Sequence, residues 1–225
     1  GRRPNEYGGT SCLSGFPFWH QASKTMLAFP DIINYTPDNV VDLKNPRCMA
    51  FTRRDAATGL WSEPSLLEVR EDMRRDYVLS GRRMEECDNG DILLPLSAMS
   101  LPGFIGVTHI ARVRIDGTKA HIVEYGSPLD QVRQPRGLCE PTIIRFDGRY
   151  FLNMRNDITG YVASSRDGLH FDNPRPWCFD NGELLGNYNT MMHWVRHGDR
   201  ELYLVYTRRN AGNDHVFRNR APLFI

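Results

Sequence analysis

The segment 140–177 constrains the fold of this chain more than any other part of it. Two short apolar runs, 142–144 and 150–152, flank the dipeptide Asp147-Gly148. An Asp-Gly pair between apolar runs is a strong local signal for a β-hairpin, because both residue types tolerate the positive φ angles of the tightest hairpin turns. The segment therefore predicts two antiparallel strands joined by a tight turn.

A second turn follows at 165–171, where Ser165, Asp167 and Gly168 precede the aromatic Phe171. Ser and Asp side chains can bond to backbone amides within a turn, and Gly supplies a positive φ. We therefore predict a structural role for Asp167 and assign it no catalytic one. The pattern resembles the Asp-box of sialidases and related β-propellers, and this resemblance implies a propeller architecture.

Similar turn-plus-strand units recur along the chain at separations of about 50 to 60 residues, a spacing typical of propeller blades. The units of one series are 88–94, 147–152 and 198–204, and those of a second series are 54–62, 116–117 and 167–171. We predict one all-β domain over 1–225, a β-propeller of sialidase type. About four blades are present, so either the ring is small or residues are missing. The resemblance to sialidases implies a fragment of a six-bladed ring, incomplete at both ends.

The charge balance and the cysteines argue against several classes of protein. With 28 basic and 27 acidic residues the formal net charge is +1, whereas a dedicated nucleic-acid-binding protein needs a basic excess. No stretch reaches the roughly 18 apolar residues of a membrane span. The five cysteines include no CxxC pair, which favours free thiols over a zinc ribbon or a disulfide framework. We expect a monomer with no metal or other cofactor, no nucleic-acid partner and no membrane span.

The strongest candidate site lies at the open end of the predicted hairpin. Glu140 begins the first strand and Arg155 ends the second, and the turn lies midway between them. The two side chains are therefore expected to face each other, where a Glu–Arg pair can tune a pKa and hold a ligand carboxylate. A salt bridge that only closes a blade edge is the alternative. Asp157 follows as a candidate acid or base, with an Asx-turn as its alternative.

Sialidases commonly show the same order of features: a Glu, a strand, an Asp-Gly turn, a strand that ends in Arg, and an Asp-box shortly after. Residues 140–171 are similar to that arrangement. The resemblance implies that Glu140 assists a tyrosine nucleophile and that Arg155 belongs to a cluster that binds the substrate carboxylate.

Two further sets of residues are expected at the same end of the sheets as Glu140, which we call the Glu140 mouth, because of their positions relative to the turns. Arg83 and Glu85 precede an Asn-Gly turn in the way that the Glu of the hairpin precedes its own turn, so we expect them on the same face one blade earlier. Tyr188 and His193 lie in the corresponding segment one blade later. A Tyr buried among Arg and Glu can have its pKa lowered toward nucleophilic use, and a core Tyr with a satisfied hydroxyl is the alternative.

The loop 207–220 is dense in ionisable groups, and such loops on a rigid β scaffold often carry function. Asp214 and His215 are a candidate acid–base pair or, equally, the cap of a turn. The region is similar to bacterial sialidase-like proteins of undefined substrate, as is the segment around residue 20. That resemblance implies a set of substrate-binding residues that face the central cleft: His20, Arg208 and Arg218.

These features predict a glycoside hydrolase of sialidase-like type that acts on acidic or complex glycans through an oxocarbenium-like transition state. A propeller polysaccharide lyase is one alternative, since the histidines and Tyr188 offer bases for removing a proton from a uronic acid. A non-catalytic glycan-binding propeller is the other, because propellers host many unrelated functions. Enzymes on large glycans usually act outside the cytoplasm, so we expect a secreted or periplasmic bacterial protein.

Overall fold

A computed structural model of the chain describes residues 2–45, 48–74, 77–81, 83–100, 105–188, 190–209 and 212–225. Over these residues the backbone is almost wholly strand and turn, with one four-residue helix, α1 (Glu71–Arg74), and one 3-10 turn, Phe217–Asn219. The strands form four antiparallel sheets, each built from consecutive segments of the chain. No helix within the described ranges is long and apolar enough to cross a bilayer. The all-β prediction is confirmed.

The first sheet consists of seven strands: β1 (Arg2–Pro4), β2 (Thr10–Ser14), β3 (Pro17–His20), β4 (Thr25–Ala28), β5 (Asp31–Tyr35), β6 (Cys48–Arg53) and β7 (Ser65–Leu67). Their order is β1-β2-β5-β6-β4-β3, and β7 pairs with β6. Regular strand pairing is interrupted at two places, between β2 and β3 and between β4 and β5, and these two breaks lie next to each other. A Cβ on Gly15 would lie 2.7 Å from the Cα of Pro30, so only glycine allows the two breaks to pack together.

The second sheet consists of five strands: β8 (Tyr77–Ser80), β9 (Glu85–Glu86), β10 (Ile92–Ser100), β11 (Ile105–Asp116) and β12 (Lys119–Tyr125). One edge of β10 pairs with β11, and the other pairs with β8 and β9 in succession. The predicted turn at Gly117 joins β11 to β12 with a φ of 58°. β8 and β9 therefore form one interrupted strand with an irregular stretch between them.

The third sheet consists of β13 (Cys139–Phe146), β14 (Arg149–Arg155), β15 (Tyr161–Ser165) and β16 (Arg175–Pro176), paired in chain order. The predicted hairpin is confirmed, because Phe146 pairs with Arg149 across a two-residue loop. In that loop Asp147 has a φ of 47° and Gly148 a φ of 69°, which is the type I′ geometry. The fourth sheet is the hairpin of β17 (His193–His197) and β18 (Glu201–Val205).

Alternate side chains of β10 enter two different hydrophobic cores. Ile92 and Leu94 pack in a core that includes Phe29 and Phe51 of the first sheet. Leu93 packs in a second core with residues of the third sheet. Because successive strand residues face opposite sides, the second sheet lies between the first and the third. Stacking of successive antiparallel sheets in chain order is the arrangement of propeller blades, and the four sheets fit a propeller fragment.

The first strands of successive sheets lie next to one another. A parallel bridge joins Arg83, between β8 and β9, to Thr142 of β13, and the Thr142 hydroxyl donates to the carbonyl of Met192 just before β17. Residues of β3, β9 and β17 line one cavity. We call four segments the inner strands: β2 to β3, β8 to β9, β13 and β17. We call the space that they border the central channel.

The turn 165–171 has the contacts that its sequence predicts. The Ser165 hydroxyl accepts hydrogen bonds from two backbone N–H groups, at 3.2 and 3.0 Å. The Asp167 carboxylate accepts from the backbone N–H groups of Leu169 and His170, at 2.9 and 2.8 Å. Burial acts to raise the pKa of Asp167, but the hydrogen bonds from His170, Leu169 and Ser165 outweigh it and hold the pKa well below its usual range. Asp167 is therefore a structural residue of the turn.

Replacing Asp167 with Ala is expected to lower the free energy of unfolding by about 1–2 kcal/mol at pH 7, because the backbone N–H groups of the turn lose their acceptor. The folded pKa lies below the unfolded value, so this contribution is complete above about pH 4 and is lost as the pH falls further. Urea unfolding at pH 7 and pH 3 should show a smaller difference at pH 3. The exposed Asp180→Ala is the control, and an equal loss in both variants at pH 7 would contradict the prediction.

Candidate functional site

Glu140 and Arg155 form an ion pair at one end of the third sheet. Glu140 is the second residue of β13, and Arg155 is the last residue of β14, opposite Cys139. Nη1 of Arg155 donates to Oε2 of Glu140 at 2.7 Å. The Arg155 side chain is 9% exposed and the Glu140 side chain 21% exposed. The pair is largely withdrawn from water, while part of the Glu140 carboxylate stays accessible.

An irregularity in β13 aims the Glu140 side chain. The register between β13 and β14 shifts between Cys139 and Thr142, and Glu140 has a φ of 49°. The backbone N–H of Glu140 donates to the hydroxyl of Ser97 on β10 at 2.9 Å, so the neighbouring sheet holds this conformation. A residue with a Cβ rarely adopts a positive φ, and such residues cluster at functional sites.

Two more charged groups extend the pair into a network. Arg136 pairs with Asp157 through two hydrogen bonds, of which the bond from Nη2 to Oδ1 is 2.8 Å long and the other runs from Nε to Oδ2. Nη2 of Arg155 lies 3.6 Å from Oδ1 of Asp157. The hydrogen bond from Arg136 is the main cause of a lowered pKa at Asp157, and the charges of Arg155 and Arg218 act in the same direction. Asp157 is therefore ionised and paired with arginines. It is better suited to holding those arginines in position than to donating a proton.

Arg136 is a member of this network that the sequence did not single out. Its loop rests on the second sheet, where the N–H of Gly106 donates to the Arg136 carbonyl at 2.7 Å. A Cβ on Gly137 would lie 2.0 Å from the carbonyl oxygen of Gly106, so glycine permits this close approach. The Asn156 amide donates to the Gly137 carbonyl at 2.9 Å, and its oxygen accepts from the N–H of Ile158. The Asx-turn belongs to Asn156, and Asp157 is left to pair with arginine.

Tyr188 and Arg209 form a cation–π contact in the neighbouring sheet. The guanidinium carbon of Arg209 lies 3.8 Å from the centroid of the Tyr188 ring. Tyr188 precedes Met192 by four residues, and Met192 is level with Thr142 of β13. The backbone N–H of Tyr188 donates to the carbonyl of Thr207 at 3.1 Å, which ties the residue to the chain after β18.

The arginines of the loop after β18 have different surroundings. Arg218 lies close enough to Asp157 for its charge to lower the pKa of that carboxyl, so Arg218 extends the network. The guanidinium carbon of Arg208 lies 5.5 Å from the ring centroid of Phe179 and 5.6 Å from that of Phe224. Arg208 therefore packs on two aromatic side chains that lie outside the strands of the fourth sheet.

Asp214 stabilises its own loop. Its Oδ1 accepts a hydrogen bond from the side-chain amide of Asn219 at 3.2 Å. Within residues 212–225 no hydrogen bond joins Asp214 to His215, and both side chains are exposed. These contacts favour the turn-holding alternative over an acid–base pair.

Glu85 and His193 lie in a cavity of the central channel, together with Arg83. The cavity has a volume of 490 Å³ and is bordered by β3, β9 and β17. Oε2 of Glu85 accepts a hydrogen bond from the backbone N–H of Arg145 at 3.1 Å, so Glu85 lies five residues further along β13 than Glu140. The structure corrects the expected placement of Glu85 at the Glu140 mouth. Glu85 precedes Asn89 of its turn by four residues, whereas Glu140 precedes Asp147 by seven, so Glu85 lies nearer the turn end of the channel.

His20 joins turns of the first and second sheets and does not face the central cleft as expected. The residue is 3% exposed. Its Nε2 lies 2.9 Å from the carbonyl oxygen of Gly90 and 3.5 Å from Oε1 of Glu86. Its Nδ1 lies 2.7 Å from the hydroxyl oxygen of Ser23. Both ring nitrogens are occupied, so the side chain holds two blades together.

The described residues include no group of three or more His, Cys, Asp or Glu side chains arranged to hold a metal ion. All five cysteines are free thiols. Burial raises the pKa of Cys139, next to Glu140, to about 12, which makes this thiol unreactive at neutral pH.

The architecture is similar to that of three solved structures. Trypanosoma rangeli sialidase, in complex with the inhibitor DANA, matches with a TM-score of 0.56 and 14% identity over 91% of this chain and 36% of the sialidase. The GH93 α-L-arabinofuranosidase of Fusarium graminearum matches with a TM-score of 0.54 and 16% identity over 90% of this chain and 59% of the other. The endo-arabinase of Bacteroides thetaiotaomicron matches with a TM-score of 0.52 and 13% identity over 93% of this chain and 75% of the other.

At these identities the likeness shows the fold: the chain has the fold of a sialidase-like β-propeller, as its sequence predicts. The chain spans little more than a third of the length of the sialidase and about three fifths of that of the arabinofuranosidase, at 36% and 59%. No protein-family model and no curated protein sequence matches the chain.

Proposed function

We propose that this chain is part of a glycoside hydrolase that acts on acidic or complex glycans. The observation that carries the proposal is the Glu140–Arg155 ion pair, which lies at the strand ends of a sialidase-like propeller fragment. Proteins with this fold include a sialidase, an arabinofuranosidase and an endo-arabinase. Fold alone does not decide function, so the argument rests on what this pair can do.

The pair gives Glu140 the properties of a proton-transfer group. Its carboxylate is partly accessible and is fixed by the Arg155 guanidinium at 2.7 Å. In the proposed reaction Glu140 takes the phenol proton of Tyr188 as the phenolate oxygen attacks the anomeric carbon. The carbon–oxygen bond to the leaving group breaks through an oxocarbenium-like transition state, and the leaving oxygen takes a proton from solvent water. Water then attacks the anomeric carbon and breaks the sugar–tyrosine bond, Glu140 returns its proton to the Tyr188 phenolate, and the attacking water releases its own proton to solvent.

The arginines of the network give the site its preference for acidic glycans. Arg155 and Arg218 both act on the charge of Asp157, and Arg155 also bonds to Glu140. A guanidinium matches the geometry of a carboxylate or sulfate through paired hydrogen bonds. Asp157, ionised and held by Arg136, keeps the Arg155 plane oriented for this contact.

One observation favours a non-catalytic glycan-binding propeller as the second candidate. Arg155 is already bonded to Glu140 and lies 3.6 Å from Asp157. Two carboxylates therefore offset its charge before any ligand arrives. A site in which Glu140 only neutralises Arg155 would bind glycans without cleaving them.

The test is to incubate the folded chain with sialylated, uronate-rich and sulfated glycans and with arabinan. Released reducing ends and ultraviolet absorbance are followed together. We expect reducing ends to appear without absorbance, which is the signature of hydrolysis. Absorbance that rises with cleavage indicates elimination and therefore a lyase. If no substrate is cleaved by well-folded protein, the binding propeller is the better interpretation.

A further inference from the structure

We propose that the cavity of the central channel is a second carbohydrate site, which binds a neutral sugar residue apart from the Glu140 network. The cavity of 490 Å³ is lined by Trp19 on one side and by Arg83, Glu85 and His193 on the others. Small-molecule sites of a few hundred Å³ that combine aromatic walls with a few polar groups are typical binding pockets. Three different sheets supply these side chains, so the site exists only in the assembled propeller fragment.

The aromatic wall has a fixed and accessible surface. Trp19 is 51% exposed, and its indole N–H donates to the side-chain oxygen of Gln21 at 2.9 Å. That hydrogen bond holds the ring while its face stays open. Trp194, a second lining residue, is buried and is anchored by a bond from its indole N–H to the Thr142 carbonyl at 3.3 Å. The C–H face of a sugar ring packs on such an apolar aromatic surface, and the aromatic ring loses little conformational entropy on binding.

The polar wall offers both a donor and an acceptor. Nε of Arg83 is buried and has no hydrogen-bond partner among the described residues. One oxygen of Glu85 accepts the Arg145 N–H at 3.1 Å, which leaves its second oxygen to accept from a ligand hydroxyl. Burial raises the pKa of Glu85 and lowers that of Arg83, so both groups are partly desolvated and gain from a new hydrogen-bond partner.

The charges around the cavity favour a neutral ligand. The positive charges of Arg83, Arg196 and Arg145 all act on Glu85. The second carboxylate of the wall, Glu86, accepts hydrogen bonds from the backbone N–H groups of Gln21 and Ala22 at 2.6 and 2.8 Å. The charged side chains of the wall thus have partners of opposite sign or backbone donors already, and a neutral ligand can bond to them without leaving a charge of its own unpaired. The Glu140 network, in contrast, has arginines that suit an acidic group.

The inference does not depend on the proposed hydrolysis, because Glu85 lies at the level of Arg145, toward the hairpin turn and away from Glu140. Binding in the channel and cleavage at the mouth can therefore be measured separately. Loss of cleavage in every assay would leave the channel site standing, and loss of channel binding would leave the proposed function standing.

The experiment is calorimetric titration of the folded chain with cellotetraose, xylotetraose and galactotetraose, with tetragalacturonate as the charged probe. Saturation-transfer NMR on the same mixtures reports which sugar protons contact aromatic rings. We expect at least one neutral tetraose to bind and tetragalacturonate to bind the channel more weakly. Trp19→Ala should weaken binding of the neutral tetraose by about ten-fold or more, as for the loss of a central aromatic contact.

Trp61→Ala is the matched control, because Trp61 is 43% exposed on the same sheet and does not line the cavity. Its affinity for the neutral tetraose should equal that of the unmodified chain. The proposal is overturned if no neutral tetraose binds to folded protein, if Trp19→Ala and Trp61→Ala bind equally well, or if tetragalacturonate binds more tightly through Trp19. Arg83→Gln provides the second test, since it keeps a donor but removes the charge and should weaken neutral binding less than Trp19→Ala does.

Discussion

Replacing Arg155 with Met is expected to lower the free energy of unfolding by about 3 kcal/mol, the range found when one partner of a buried ion pair is removed. The Arg155 side chain is 9% exposed, and it contacts the carboxylates of Glu140 and Asp157. Without the guanidinium, two partly buried negative charges face each other with less compensation. Urea unfolding at pH 7 measures the loss.

Arg133→Met is the matched control for this variant. Arg133 is 71% exposed and pairs with Asp130 on the surface, so its removal should cost less than about 0.5 kcal/mol. The double variant Arg155→Met with Glu140→Gln should be less destabilised than the sum of the single variants, because the second change removes the charge that the first leaves unpaired. Equal and small losses for Arg155→Met and Arg133→Met would show that the pair does not support the fold.

The parts of the structure that the sequence predicted correctly are those fixed by local chemistry. Asp147 and Gly148 can adopt positive φ without a partner elsewhere in the chain, so the hairpin could be predicted from the dipeptide and its flanking apolar runs. Glu140 and Arg155 are equidistant from that turn, which predicts that they meet, but a register shift places Arg155 opposite Cys139 and the positive φ of Glu140 completes the contact. The same local logic placed the hydrogen bonds of Asp167 within its own turn.

The parts that could not be predicted depend on contacts between sheets. Glu85 was expected beside Glu140 because both precede a turn, but Glu85 is closer to its own turn and contacts the next sheet at the level of Arg145. His20 is held by Gly90, seventy residues away in the chain, and no local pattern specifies that contact. Arg136 joins the site because Gly106 and Gly137 let two backbones approach closely. Trp19 lines the cavity of the central channel only because side chains from three sheets come together there.

Glu140→Gln is expected to reduce cleavage of an acidic glycan by 10²- to 10⁴-fold, the usual contribution of a positioned acid–base group. The amide keeps the size of the side chain and can still accept a hydrogen bond from Arg155, but it cannot take the proton of Tyr188. kcat should therefore fall with KM little changed, because the Arg155 guanidinium remains in place to bind the substrate. Initial rates of reducing-end release across a range of substrate concentrations separate the two constants.

Two controls decide whether that loss is chemical. Glu63→Gln changes the same residue type at a position whose side chain is 87% exposed, and it should cleave at the rate of the unmodified chain. Urea unfolding of Glu140→Gln should show that the variant is folded under assay conditions, so that a loss of rate reflects the missing carboxylate. A rate within about three-fold of the unmodified chain would assign Glu140 to the support of Arg155 alone. Another residue would then be the proton acceptor for Tyr188, since the hydrogen bonds from Arg136 lower the pKa of Asp157 and make it a weak base.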